Sequence, residues 1–127
     1  MTESKKYDLA VSAVPQYLPE QSEPAGGQYV FAYTITIENV GTVAAQLISR
    51  HWIITDADGE VQQVRGLGVV GRQPLLQPGE KFVYTSGCQL ATPVGTMRGS
   101  YQATAVDGMQ FDVPIPEFTL AVPHVLH

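Results

Sequence analysis

Strict alternation of side chains across residues 28–38 constrains the fold more than any other stretch of the sequence. Large apolar residues occupy every second position from Tyr29 to Ile37, and smaller or polar residues fill the positions between them. A period of two places successive side chains on opposite faces of an extended chain. The segment is therefore predicted to be a β-strand with one face in a hydrophobic core.

Shorter segments with the same alternation recur along the chain, and turn signals separate them at intervals of about ten residues. The other predicted strands cover 46–55, 60–65, 97–103 and 109–115; a first strand runs from Tyr7 to near Pro15, and one more begins at Lys81. No window has helical periodicity. The pattern predicts an all-β fold, an immunoglobulin/fibronectin type III-like sandwich of two antiparallel sheets with seven to eight strands. A tryptophan in a middle strand, Trp52, fits such a core, and a lone cysteine favours the fibronectin-like variety.

Composition adds limits on organisation and partners. The chain has 127 residues, 44% hydrophobic and 15% charged, which fits one globular domain. Residues 1–6 are predicted to be a flexible tail, and 7–127 a single domain. The net charge of -5 argues against nucleic-acid binding. Cys88 cannot form an intrachain disulfide, no secretory signal is recognisable, and no apolar run would span a bilayer, so a cytoplasmic protein with no membrane association is expected.

A glycine motif with the spacing of a dinucleotide-binding loop is the only short segment that suggests chemistry. It consists of Gly66, Gly68 and Gly71, flanked by Arg65 and Arg72. A Rossmann loop needs a helix after the glycines, but the prolines that follow leave no room for one. Two interpretations stay open. The loop amides and the two arginines form an anion nest for a phosphate-containing small molecule, or the glycines only allow a sharp turn or close strand contact.

Metal binding has weaker support. Asp56, Asp58 and Glu60 place oxygen ligands around a hairpin, but turns favour these residues in any case. The three histidines are too dispersed for a preformed cobalt site: they are His51, His124 and His127. We therefore expect no metal site and no cofactor.

Catalysis is not expected either. Ser86 and Cys88 lie in a turn-like segment with no histidine nearby in sequence, although His51 could approach them in space. Nothing supports a set of nucleophile, base and orienting group.

Several linked motifs resemble one family. The glycine segment 66–74 is followed by Pro78-Gly79-Glu80 and by 84–87 and 90–101, and Trp52 to Gly59 precedes it. Together these motifs closely resemble the ApaG (CorD) family, over roughly 7–118. The resemblance implies a fibronectin type III-like sandwich from a family with no established enzymatic activity, in which similar eukaryotic domains look like protein-interaction modules. Bacterial members are associated with cobalt resistance, magnesium efflux and the diadenosine tetraphosphate hydrolase operon.

Two functions from different classes follow. The first is a non-enzymatic module that binds a protein partner, with an indirect role in cobalt and magnesium handling; a homodimer is an open alternative. The second is a small-ligand sensor that binds pyrophosphate or a dinucleoside polyphosphate at the glycine loop. Pro114 and Pro116 are expected to protect one sheet edge, which makes the opposite edge the expected docking site.

Overall fold

Eight β-strands in two antiparallel sheets make up most of residues 5–123, the part of the chain that the computed structural model describes. In chain order the strands are β1 (Leu9–Tyr17), β2 (Tyr29–Asn39), β3 (Ala45–Asp56), β4 (Val61–Leu67), β5 (Leu75–Leu76), β6 (Lys81–Leu90), β7 (Val94–Ala105) and β8 (Gln110–Ala121). Two short 3-10 turns, Pro19–Gln21 and Pro24–Gly26, lie between β1 and β2. The predicted all-β sandwich is confirmed.

The two sheets differ in size. One has the order β1-β2-β6, and the other has the order β4-β3-β7-β8 with the short β5 also paired to β3. The free edges are therefore β1 and β6 in the smaller sheet, and β4 and β8 in the larger. β1 and β8 approach each other along one side of the sandwich, where the ring of Tyr7 packs 5.6 Å from that of Phe111. β4 and β6 border the opposite side.

The core lies between the sheets and is built from the alternation seen in the sequence. In β2, Phe31, Ile35 and Ile37 are fully buried and Tyr33 nearly so, as predicted. In β3 the pairing with β7 shifts register between Leu47 and Ser49. A bulge of this kind changes which positions face inward. Leu47 is buried before the shift, and Trp52 and Ile54 are buried after it.

Three strands continue through prolines or through a segment where a turn was expected. β8 continues past Pro114 and Pro116 to Ala121, and Phe118 packs against Trp52 with ring centroids 5.9 Å apart. Proline is tolerated here because β8 is an edge strand that pairs only with β7. On its other side, within residues 5–123, there is no neighbouring strand whose hydrogen bonds would be lost with the proline amides. β1 likewise passes through Pro15. β6 continues through Ser86 and Cys88, so the turn expected there is wrong.

The start of the described chain is tied to the β7–β8 hairpin. The Tyr7 hydroxyl donates to Oδ2 of Asp107 over 2.6 Å, and Nζ of Lys6 lies 3.5 Å from the same oxygen. The amide of Thr42 donates to the Lys6 carbonyl. Residues 1–4 of the expected tail, together with His124 and His127, lie outside the described residues. Within residues 5–123, no helix is long and apolar enough to cross a bilayer.

Candidate functional site

The glycine motif forms the end of β4 and a tight turn. The Val69 amide donates to the Arg72 carbonyl over 2.7 Å, and the Arg72 amide donates back to the Val69 carbonyl over 2.9 Å. The two residues between them both have positive φ, 44° at Val70 and 78° at Gly71. This is the geometry of a type I′ turn, in which both central residues are left-handed. The chain therefore reverses here, and no helix begins.

The other two glycines leave room for neighbouring groups. A Cβ at Gly66 would lie 2.8 Å from both terminal nitrogens of Arg50. Gly68 has φ +66°, and a Cβ there would lie 2.4 Å from the carbonyl oxygen of Arg72. Each glycine of the motif thus has a conformational or steric requirement that needs no ligand.

The two arginines of the proposed anion nest face different surroundings. Arg65 is exposed and pairs in register with His51 of β3. The Arg72 guanidinium lies over the ring of Phe82 in β6, 5.6 Å from its centroid. The amides of Gly68, Val69 and Arg72 donate to backbone carbonyls. Among the described residues, the amides of Val70 and Gly71 have no such acceptor, so they are the donors that the loop can offer.

Arg50 is the basic residue that sequence reasoning missed. It pairs in register with Gly66 on one side and with the buried Tyr101 on the other. Directly opposed residues project to the same face of a sheet. Arg50 therefore projects inward, on the same face as Tyr101. Arg50 lies two positions before Trp52, and residues two apart in a strand face the same side. That spacing was the sequence signal that could have placed Arg50 on the inward face.

The Arg50 side chain lies under the glycine segment. Its Nη1 donates to the carbonyl oxygens of Leu67, over 2.9 Å, and Gly68, over 3.0 Å. The only ion pair within residues 5–123 is Lys6–Asp107, so no described carboxylate neutralises Arg50. A half-buried guanidinium without a counter-ion remains attractive to anions.

Arg50 lines a cleft of about 410 Å³ between β4 and β6. Gln62 and Val64 of β4 form one wall, and residues 86–89 of β6 form the other. Trp52 and Tyr33 form the base, with their rings 5.4 Å apart and edge-on. Arg50 is the only residue in the cleft lining with a formal charge at neutral pH. We call this space the inter-sheet cleft.

The candidate nucleophiles also line this cleft, but the structure does not bring a histidine to them. Ser86 and Cys88 belong to β6 of the smaller sheet. His51 follows the inward Arg50 and so faces the outer side of the larger sheet, where its Nε2 lies 2.9 Å from Oε1 of Gln63. Burial raises the pKa of the Cys88 thiol to about 11, which keeps it protonated and weakly nucleophilic at neutral pH.

The acidic hairpin has a structural role. Oδ1 of Asp56 accepts hydrogen bonds from the amides of Asp58 and Glu60, over 2.9 and 3.0 Å. Gly59 supplies the positive φ that the turn needs. In the described part of the chain, no three His, Cys, Asp or Glu side chains are grouped closely enough to hold a metal ion.

Comparison with known proteins gives a consistent result. The sequence profile of a family described as ApaG domain matches residues 19–105. The chain is 69% identical to Protein ApaG of Thiobacillus denitrificans and 63% identical to Protein ApaG of Nitrosospira multiformis, over the full length of all three chains. A crystal structure of a Bordetella pertussis protein described as ApaA superposes with a TM-score of 0.94 at 62% identity, covering 97% of this chain and all of that one.

Proposed function

The chain belongs to the ApaG domain family, and from that premise we propose that it is a non-enzymatic protein-interaction module that binds a partner along the free edge of β4. The observation that carries the proposal is a series of exposed apolar side chains on this strand and its turn. Val61, Leu67 and Val70 are 54%, 75% and 53% exposed. Val64 is 40% exposed and projects from the opposite face of β4, into the inter-sheet cleft. Exposed apolar residues grouped at a sheet edge are typical of interaction sites.

The backbone of β4 is oriented for strand addition. The Gly68 amide bonds to β3 at one end of the strand, and the Glu60 carbonyl bonds to Asp56 at the other. Because backbone groups alternate in direction along an antiparallel strand, even-numbered residues bond to β3 and odd-numbered residues face solvent. Gln63 and Arg65 therefore present unpaired amides and carbonyls that an extended segment of a partner can pair with.

The other three edges are less suited to strand addition. β8 contains Pro114 and Pro116, and β1 contains Pro15; each proline lacks an amide donor. β6 has a single large apolar residue that is well exposed, Val83. The expectation that docking occurs opposite the C-terminal prolines thus corresponds to β4, since β4 and β8 are the two edges of the larger sheet.

Charge favours a partner segment with acidic residues. The whole chain has a net charge of -5, yet residues 61–79 contain Arg65 and Arg72 and no Asp or Glu. Complementary charge orients and accelerates such encounters. The proposed partner is a protein with an extended segment that combines apolar and acidic side chains. In this proposal, effects on cobalt resistance and magnesium efflux are indirect and pass through the partner.

The absence of enzymatic activity is part of the same proposal. Ser86 and Cys88 lie on the inner face of one sheet and His51 on the outer face of the other, and burial raises the pKa of Cys88. A cytoplasmic location fits the single cysteine. Hydrolysis of diadenosine tetraphosphate by the purified protein would contradict this part.

The test of the interface compares variants at two edges. Gln63→Pro removes an amide from the free edge of β4, and Leu67→Lys replaces its most exposed apolar side chain. Val14→Lys is the matched control, since Val14 is an exposed valine on the edge strand β1. Partners captured by the immobilised protein are identified by mass spectrometry, purified and titrated by calorimetry.

We expect each β4 variant to weaken the affinity for the purified partner about tenfold or more, which corresponds to about 1.4 kcal/mol. The Val14→Lys protein should bind as the parent does. If Val14→Lys abolishes binding while the β4 variants retain it, the partner docks on β1 and the proposal is wrong.

A second candidate function is a small-ligand sensor at the glycine loop. The observation that favours it is the pair of unbonded amides at Val70 and Gly71, with Arg65 and Arg72 on either side of the turn. A pyrophosphate titration followed by NMR distinguishes the two functions. A sensor should show saturable shifts of the amides of residues 65–72 and thermal stabilisation by the ligand, whereas a pure interaction module should show neither.

A further inference from the structure

We infer that the inter-sheet cleft is a binding site for a small organic anion, whose carboxylate or phosphate group is held by Arg50. The site shares one wall, Gln62 and Val64 of β4, with the proposed docking strand, but its anion donor is Arg50 of β3 and not the backbone edge of β4 or the turn at Val70 and Gly71. It does not depend on the proposed interaction function. Four features carry the inference: the free donors of Arg50, the rigid placement of its guanidinium, the chemistry of the cleft walls, and the local charge.

Arg50 keeps one side of its guanidinium available. The group has five N–H donors, and the two on Nη1 are directed at the carbonyls of Leu67 and Gly68. No hydrogen bond from Nε or Nη2 to a described residue is present. These two nitrogens form the fork that matches two oxygens of a carboxylate or phosphate. The backbone contacts therefore hold Arg50 in place and leave a bidentate donor pair free.

The position of the guanidinium is set by its neighbours. Gly66, directly across the β3–β4 ladder, has no side chain, and the guanidinium occupies that space. On the other side Arg50 neighbours the fully buried Tyr101. A donor fixed in this way loses little conformational freedom when it binds a ligand. In this arrangement the glycine motif contributes to anion binding indirectly, by supplying the carbonyls and the space that position Arg50.

The walls of the cleft define the rest of the ligand. Trp52 and Tyr33, 3% and 6% exposed, close the base with the edges of their rings, while Gln62, Ser86 and Gln89 provide polar groups at the sides. Ligand sites in proteins have volumes of about 300–1,000 Å³ and orient the ligand through a few placed polar groups. The volume of about 410 Å³ suits a compact ligand, with one anionic group at Arg50 and a small planar or apolar body against Trp52.

Local charge favours an anion at the Arg50 end. No Asp or Glu lines the cleft, and none occurs in residues 61–79 or 81–105. Asp56 and Glu60 line a separate, smaller pocket beyond Gln62, of about 40 Å³. Oδ1 of Asp56 is engaged by the hairpin amides. These carboxylates would repel an anion at the Gln62 end of the cleft. The anionic group of the ligand is therefore expected at the Arg50 end.

The experiment uses the single tryptophan of the chain as its reporter, because Trp52 lines the cleft. Trp52 fluorescence and the Arg50 Nε–H resonance are followed while benzoate, phenyl phosphate or inorganic phosphate is added at constant ionic strength. Benzoate and phenyl phosphate separate a carboxylate from a phosphate preference. Inorganic phosphate tests whether the ring contributes. Sodium chloride in place of the probe controls for ionic strength.

Three variants decide which residue is responsible. Arg50→Gln removes the donor fork, and Gly66→Ala keeps the charge but displaces the guanidinium, since the added Cβ would lie 2.8 Å from both of its terminal nitrogens. Arg65→Gln is the matched control: it removes the same charge from the exposed face of β4. We expect at least one probe to saturate, and the first two variants to weaken its binding about tenfold or more, as expected for lost charge-assisted hydrogen bonds. Arg65→Gln should change it less than about twofold.

Two outcomes would overturn the inference. One is no saturable change with any probe up to about 50 mM, a concentration that would fill even a millimolar site. The other is equal weakening by Arg65→Gln and Arg50→Gln, which would indicate nonspecific charge attraction. If Arg50→Gln does not fold, as judged by circular dichroism, Gly66→Ala decides the result, because it retains the arginine.

Discussion

The hydroxyl groups of Tyr84 and Tyr101 are hydrogen-bonded to each other inside the core, one from each sheet. Both side chains are buried, so neither hydroxyl has water as an alternative partner. We expect Tyr84→Phe to lower the free energy of unfolding by about 1–3 kcal/mol, because the Tyr101 hydroxyl is left unsatisfied. Urea denaturation measures this change.

The double variant Tyr84→Phe/Tyr101→Phe is the control for that explanation. Replacing both partners by apolar groups of the same shape removes the unsatisfied donor, so the double variant should be more stable than Tyr84→Phe alone. Tyr17→Phe controls for loss of a hydroxyl as such, since the Tyr17 hydroxyl has no hydrogen bond to any described residue. A double variant less stable than the single one would contradict the explanation.

Val70 is held in a conformation that suits its side chain poorly. Its φ of 44° is the only positive value at a non-glycine residue within residues 5–123, and β-branched residues are rarely left-handed. Val70→Asn creates the Asn-Gly pair preferred in type I′ turns and should raise the free energy of unfolding by about 1 kcal/mol. Thermal denaturation measures the gain.

Val106→Asn is the matched control, because Val106 is an exposed turn valine with no positive φ; it should give no comparable gain. Strained residues that persist are often functional, and Val70 belongs to the exposed apolar series on β4. Val70→Asn should therefore also weaken partner binding. Unchanged stability would show that the turn carries little strain.

At the scale of elements, β7 and β3 approach each other very closely. A Cβ at Gly99 would lie 2.0 Å from the carbonyl oxygen of His51, and the β7–β8 pairing shifts register next to this glycine. Gly99→Ala should therefore lower the free energy of unfolding by about 2 kcal/mol, since backbone must move to admit the methyl group. Equilibrium denaturation tests this.

Gly26→Ala is the control for the loss of a glycine, because its added Cβ would meet nothing closer than 3.9 Å and its φ is not positive. It should change stability by less than about 0.5 kcal/mol. Equal effects of the two alanines would contradict a steric role for Gly99.

The elements were largely predictable, and the reason is that alternation reports burial directly. The segments 28–38 and 46–55 correspond closely to β2 and β3. Alternation could not show a register shift. A bulge changes whether the odd-numbered or the even-numbered residues face the core, and no residue pattern in this sequence marks where that happens. Arg50 lies after the shift and follows the same alternation as Trp52 and Ile54, so its inward position could be predicted; its contact with the glycine segment could not, because that depends on the β3–β4 pairing.

At the scale of the whole molecule, the sandwich is asymmetric from side to side. β1 and β8 approach each other and the Tyr7 and Phe111 rings pack there, whereas the β4–β6 side contains the inter-sheet cleft. The glycine motif predicted where the backbone has positive φ values. It did not predict that Gly66 leaves space for the guanidinium of Arg50. Its partner Arg50 is separated from Gly66 by sixteen positions in sequence, and only strand pairing brings them together.

The space between the sheets also sets the response to alkaline pH. Tyr33, Tyr84, Tyr101 and Cys88 all line this interior, and burial raises the pKa of each, to about 12 for Tyr84 and about 11 for Cys88. In an unfolded chain these groups ionise at about 10 for tyrosine and about 8.5 for cysteine. Between the unfolded and folded values, the unfolded state therefore binds fewer protons than the folded state.

The free energy of unfolding must then fall as pH rises through that window. We expect the stabilising contribution of these groups to be complete below about pH 8 and to decline progressively up to about pH 12. Urea denaturation at a series of pH values measures the slope. The Tyr84→Phe/Tyr101→Phe protein is the comparison: it retains Tyr33 and Cys88 but lacks the two phenols that are bonded to each other in the core. Its decline above pH 10 should be visibly shallower, and an unchanged slope would show that ionisation of this pair does not limit stability at high pH.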